Sequence, residues 1–88
     1  MNQSQITQAL TDAFSPLFLE VIDDSHKHHG HGGTPHTENT HFSVSIVASA
    51  FENIPIIQRH RMIHRTLQSA FNKQLHALKI SAKSPSET

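Results

Sequence analysis

His41-Phe42-Ser43-Val44-Ser45-Ile46-Val47-Ala48 is the stretch that decides the fold. Phe42, Val44, Ile46 and Ala48 alternate with His41, Ser43, Ser45 and Val47, so an extended chain here has one apolar and one mostly polar side. A period of two marks a strand with a single buried face.

Working outward, residues 24–40 carry no apolar periodicity and are punctuated by Gly30, Gly32, Gly33 and Pro35, which predicts a long disordered loop. Before it, Leu17 to Asp23 is short and dense in aliphatic and aromatic residues, as a strand would be, so the loop joins two strands as a long hairpin. Further upstream, Ile6, Ala9, Leu10, Ala13 and Phe14 recur at helical spacing, predicting a helix over residues 3–14 with Asn2 or Ser4 as its N-cap. Ser15-Pro16 stops that helix, because a residue before proline is pushed out of the α region.

Downstream, residues 50–55 read as a turn, and Pro55 suits the first turn of the next helix. The stripe Ile56, Ile57, His60, Ile63, Leu67, Ala70, Phe71 carries that helix to about Asn72; its opening is either part of the helix or a separate short helix or 3₁₀ turn. Leu75 to Lys83 is the last strand, with His76, Leu78, Ile80 and Ala82 on one face and Ala77, Lys79, Ser81 and Lys83 on the other. Residues 84–88 read as a frayed tail. The order is α-β-β-α-β, an α+β domain whose final helix–strand step places a strand parallel to a neighbour. The expected result is a three-stranded mixed sheet with helices on one face.

The 88 residues leave room for one domain, 1–88, with about a third of its residues apolar and a stability of roughly 3–5 kcal/mol. Seven basic residues balance seven acidic ones, so the chain lacks the positive field of a committed nucleic-acid binder while its histidines are neutral. It has no cysteine, which excludes disulfides, thiolate zinc sites and a self-contained iron–sulfur site. Neither a signal peptide nor a membrane span is expected, and a cytoplasmic location is the default. Phosphate loops, His-Glu-x-x-His pairs and nucleophile elbows are missing, so the chain is expected not to be an enzyme.

Nine histidines remain to be explained, six of them (His26, His28, His29, His31, His36, His41) between positions 26 and 41. Imidazole titrates nearest neutrality and is the commonest metal ligand. His28 and His31 are separated by two residues among glycines; the plain alternative is a solvated loop that binds metals adventitiously. His76 opens the last strand on its core-facing side, where a packing role competes with a ligand held by the sheet. Arg61 and Arg65 share an outer helix face, a surface for phosphate or acidic groups or simply a solvated one.

Phe18-Leu19-Glu20-Val21, Asp24-Ser25-His26-Lys27-His28, Thr40-His41-Phe42, Arg59-His60-Arg61-Met62-Ile63 and His76-Ala77-Leu78, in that order, resemble the BolA family from about Gln5 to Pro85. The resemblance implies an α-β-β-α-(short helix)-β domain similar to class II KH folds. It also implies partnership with a monothiol glutaredoxin in iron–sulfur assembly, trafficking and iron regulation. In such complexes a [2Fe-2S] cluster is shared: the glutaredoxin cysteine and glutathione bring thiolates, and the BolA-like chain brings nitrogen. The family's histidine in the His-Ala-Leu motif falls on His76 and its loop ligand on His28, with His31 a neighbouring substitute. No cofactor is expected in the isolated chain, which is expected to be a monomer or a weak homodimer. Ligating imidazoles must be neutral, so cluster binding should weaken below about pH 6.

Some bacterial members of the family are described as DNA-binding regulators. KH domains grip nucleic acid with Gly-x-x-Gly, which this chain lacks, having Glu-Asn-Ile-Pro-Ile-Ile at residues 52–57. Contact with DNA would fall to Arg59, Arg61, Arg65, Lys79 and Lys83, and would be weak and steeply salt-dependent.

Overall fold

Asn2 begins the first helix by a reciprocal exchange: its side chain accepts from the Gln5 N–H at 2.9 Å while the Gln5 side chain accepts from the Asn2 N–H at 2.9 Å. Two of the helix's orphan donors are thereby satisfied. Helix α1 (Gln3–Phe14) ends where Ser15 turns left-handed at φ 47, its N–H closing onto the Thr11 carbonyl. Ile6 and Leu10 face inward and are fully buried. The computed structural model describes residues 2–24, 41–71 and 77–88.

Strand β1 (Phe18–Asp23) pairs antiparallel with β2 (His41–Val47), and β2 pairs parallel with β3 (Ala77–Lys83), in sheet order β1-β2-β3. This is the mixed three-stranded sheet and the consecutive antiparallel pair expected from the alternation. In β2 the alternation is followed residue by residue: Phe42, Val44 and Ile46 are buried, and His41, Ser43, Ser45 and Val47 are half-buried. Val21 on β1 and Ala82 on β3 join the same inner face. The outer face carries the rows Phe18–Val47–Lys83, Glu20–Ser45–Ser81 and Ile22–Ser43–Lys79.

A 3₁₀ turn (Ser49–Phe51) leads to helix α2 (Ile56–Phe71). Ile63 and Leu67 of α2 complete one core with Ile6, Leu10, Val21, Phe42, Val44, Ile46, Ala48, Phe51 and Ala82. The Phe14 and Phe51 rings, 5.2 Å apart and tilted by 40°, tie the end of α1 to the 3₁₀ turn, a contact worth about 1 kcal/mol beyond its burial.

Three expectations need correction. The inward line of α2 does not begin on Ile56 and Ile57, which are exposed; stepping back four from Ile63 lands on Arg59, and Arg59 is the buried residue. Helical periodicity is indifferent to charge once the charge is paired. The tail 84–88 is not frayed: Pro85–Glu87 form a 3₁₀ turn with a capping box between Ser84 and Glu87, and Ser84 is buried. Asp24 is not part of a free loop, because its N–H donates to the His41 carbonyl at 2.8 Å and extends the β1–β2 ladder. The remaining loop residues, 25–40, and the place of a short helix between α2 and β3, at 72–76, lie outside the described residues.

Candidate functional site

The topology brings three backbone ends together at one end of the sheet. β1 leaves at Asp23, β2 begins at His41 and is bonded to Asp24, and β3 begins at Ala77, which pairs with His41. The histidine-rich segment thus leaves and returns at the end where the residue following His76 enters the sheet. His28, His31 and His76 themselves lie outside the described residues. At the rim, the Ser43 hydroxyl donates to the Asp24 carboxylate, and Asp23, Asp24 and His41 are all engaged. Among the described residues no cluster of three His, Cys, Asp or Glu could hold a metal.

The five basic positions expected on one nucleic-acid surface separate into three places. Arg61 and Arg65 are exposed on α2, as their helical spacing requires. Lys79 and Lys83 are exposed on the outer sheet face, with the helix layer on the other side. Arg59 belongs to neither surface, being only 4% exposed.

What holds a guanidinium there is a nearly complete set of acceptors. Arg59 Nε donates to the Ile54 carbonyl at 2.6 Å and Nη1 to the Ala82 carbonyl at 3.0 Å. Nη1 and Nη2 reach the two carboxylate oxygens of Glu87 at 2.5 and 3.1 Å, a fork-to-fork pair. Four of the five guanidinium hydrogens are used in this way. Glu87 is held in turn by the Ser84 N–H at 2.7 Å. Arg59 above all, then that N–H, lowers the Glu87 carboxyl to about 2. A further contact runs from the Ser86 hydroxyl to Glu52 at 2.7 Å, which lowers the Glu52 carboxyl as well. Sequence reasoning missed Glu87, Ser84 and Glu52, although Ser84-Pro85-Ser86-Glu87 has the form of a capping box with proline just inside it.

Comparison with known proteins falls on the same ground as the fold. The family model for BolA-like proteins matches residues 10–87. Protein BOLA1, chloroplastic, of Arabidopsis thaliana is 36% identical over 87 residues, covering 97% of this chain and 54% of that protein. The DNA-binding transcriptional regulator BolA of Escherichia coli (strain K12) is 37% identical over 78 residues, covering 89% of this chain and 70% of the relative. Among solved structures, the BolA domain of SufE1 from Arabidopsis thaliana superposes with a TM-score of 0.82 at 38% identity, covering 98% of this chain and 94% of that one. The chain spans about half the length of the first of these relatives. Among the described residues no helix is long and apolar enough to cross a membrane.

Proposed function

Because the chain belongs to the BolA-like protein family, we infer that it is a non-enzymatic adaptor that binds a monothiol glutaredoxin and shares a [2Fe-2S] cluster with it, in iron–sulfur assembly and trafficking and in iron regulation. The observation that carries this reading is the convergence at one sheet end. Both ends of the 25–40 segment, which holds His28 and His31, meet there with the start of β3, immediately after His76. The proposed ligands lie on two chain segments, and both segments attach to the sheet at this end. The donor chemistry is half of a set: nine imidazoles and no thiol on this chain, with thiolates left to the glutaredoxin and glutathione. Mixed nitrogen and thiolate ligation raises a cluster's reduction potential relative to all-thiolate ligation. The cluster is cargo passed between chains, and a cytoplasmic setting is part of the reading.

The test is optical. The purified chain is mixed with a monothiol glutaredoxin, glutathione, iron and sulfide, and the visible spectrum is compared with that of the glutaredoxin alone. A distinct mixed-complex spectrum is expected, lost in His76→Ala and weakened in His28→Ala, with His31→Ala affecting it less. An unchanged spectrum in His76→Ala sinks the ligand assignment.

A second reading, DNA-binding regulation, is favoured by the printed names of the Haemophilus influenzae and Escherichia coli relatives. On this chain it rests on Arg61 and Arg65 alone of the α2 arginines, since Arg59 has its donors committed inside the protein. Two helix arginines on a chain of zero net charge supply little electrostatic attraction. Titration with duplex DNA at physiological salt decides it: sequence-dependent binding lost in Arg61→Ala supports regulation. Binding no tighter than about 10⁻⁴ M leaves only nonspecific attraction.

A further inference from the structure

An open three-stranded sheet has two edges, and the two are managed differently here. On β1, Asp24 pairs directly with His41 through a backbone hydrogen bond. Alternation then turns the N–H and C=O groups of Leu19, Val21 and Asp23 away from β2. The Val21 carbonyl on that edge is stoppered by the Gln3 side chain of α1, whose Nε2 donates to it at 2.5 Å. Helix α1 therefore plugs the middle of the β1 edge.

On β3 the Ala48 N–H donates to the Lys83 carbonyl at 3.0 Å, so Lys83, Ser81 and Lys79 present their backbone groups to β2. Leu78, Ile80 and Ala82 present theirs outward. Among the described residues the one stopper here is Arg59, and it takes only the terminal Ala82 carbonyl. Both backbone groups of Leu78, both of Ile80 and the Ala82 N–H make no backbone hydrogen bond to any described residue outside the sheet. Among the described residues this is an open strand edge, of the kind that accepts another strand.

Side chains say what kind of strand. Lys79 and Lys83 stand on the outer face of β3 with Ser81 between them. Two lysines four apart repel the β3 strand of a second copy wherever the pairing sets lysine opposite lysine, and edge lysines commonly block self-pairing in this way. They attract a strand with carboxylates at the same spacing, which reads identically in either strand direction. Leu78, Ile80 and Ala82 on the other face of β3 border the core and favour apolar side chains at the alternating positions.

We propose that the outer edge of β3 is a strand-addition site for a short extended segment of another protein, with carboxylates four residues apart facing Lys79 and Lys83. Backbone hydrogen bonds to Leu78 and Ile80 provide the attachment. The lysine pair selects the acidic segment, and Arg59 on Ala82 sets the far limit of the ladder. The residues it uses, Leu78, Lys79, Ile80 and Lys83, include neither the proposed histidine ligands nor Arg61 and Arg65, so its failure would leave both readings above untouched.

The experiment is amide hydrogen exchange on the full chain, with a synthetic peptide, acetyl-Thr-Glu-Val-Ser-Val-Glu-Thr-amide, as probe. In the free chain the Ile80 amide should exchange much faster than those of Lys79 and Ser81, which point into the sheet. With peptide at about four times its Kd, exchange at Ile80 should slow about fivefold. The same peptide with lysine in place of glutamate should give no slowing, and the Lys79→Glu/Lys83→Glu chain should reverse that preference. Unchanged exchange in the core strand β2 verifies that this variant is folded. The proposal is overturned if Ile80 is already as protected as Ser81, or if neither peptide, or both equally, slow it. Protection that grows with protein concentration alone also overturns it, because a second copy would then occupy the edge.

Discussion

The two ends of the sheet use the same three strands for opposite purposes. At one end, side chains close the structure: Arg59 bonds the turn at Ile54, the end of β3 at Ala82 and the C-terminal turn at Glu87, while Phe14 meets Phe51 beside it. At the other end the backbone closes the structure through Asp24, His41 and Ala77, and the histidine-bearing segments are attached there. A small domain that presents ligands on loops needs rigidity from somewhere else. Under the proposed function it comes from the far end, which carries none of the proposed ligands.

Removing the keystone should produce the largest effect. Arg59→Ala strips donors from two carbonyls and a carboxylate and should cost about 3 kcal/mol in urea unfolding. A loss under about 0.5 kcal/mol, the range of an ordinary surface residue, would show that the far end is not the anchor.

Next comes acid. Glu87 is held at about 2 against an ordinary 4.5, so its contribution is complete above about pH 4.5 and is lost as the pH falls toward 2. The urea midpoint of the parent chain should therefore drop more steeply across that window than that of Glu87→Gln. Parallel curves would mean that the carboxylate is not coupled to folding.

A smaller change of opposite sign is expected at Ser15. Its left-handed φ of 47 suits glycine, and Ser15→Gly should raise stability by up to about 1 kcal/mol in the same assay. Arg61→Ala, exposed on α2, should move the midpoint by less than about 0.5 kcal/mol, in contrast with its neighbour two residues away. Smallest of all should be the effect of His28→Ala on the urea midpoint, although it weakens the mixed-complex spectrum. A substitution that separates those two readouts supports the division of labour, and one that moves both together breaks it.

How much of this could be read from the chain depended on whether a signal was local. The β2 alternation was legible because the sheet is covered on one side, so parity maps directly onto burial. Both ends of α1 were legible because Asn2 and Ser15-Pro16 act within a few residues of themselves. Arg59 was not, because its carboxylate partner is 28 residues away and a lone arginine beside His60 and Arg61 reads as surface. The C-terminal turn carried a readable cap, but its proline and serines also suit a loose end, and only burial against Arg59 distinguishes the two. The division of the basic set could have been anticipated in part: Lys79 and Lys83 have the parity that points away from Ala82 and hence from the helices. The proposed histidine ligands have no such handle. Without periodicity around His28 and His31, their assignment rests on the resemblance of motifs.

The distance between Arg59 and Glu87 also has a consequence in time. During synthesis the guanidinium is joined to the chain 28 residues ahead of the carboxylate that neutralises it. At roughly 5–20 residues per second that is a wait of a few seconds. Without that carboxylate the first turn of α2 carries a charge that belongs in water, so the helix cannot settle finally onto the sheet. β3 and the turn after it arrive together, bringing both the last strand and the counter-charge, so the domain locks in one late step.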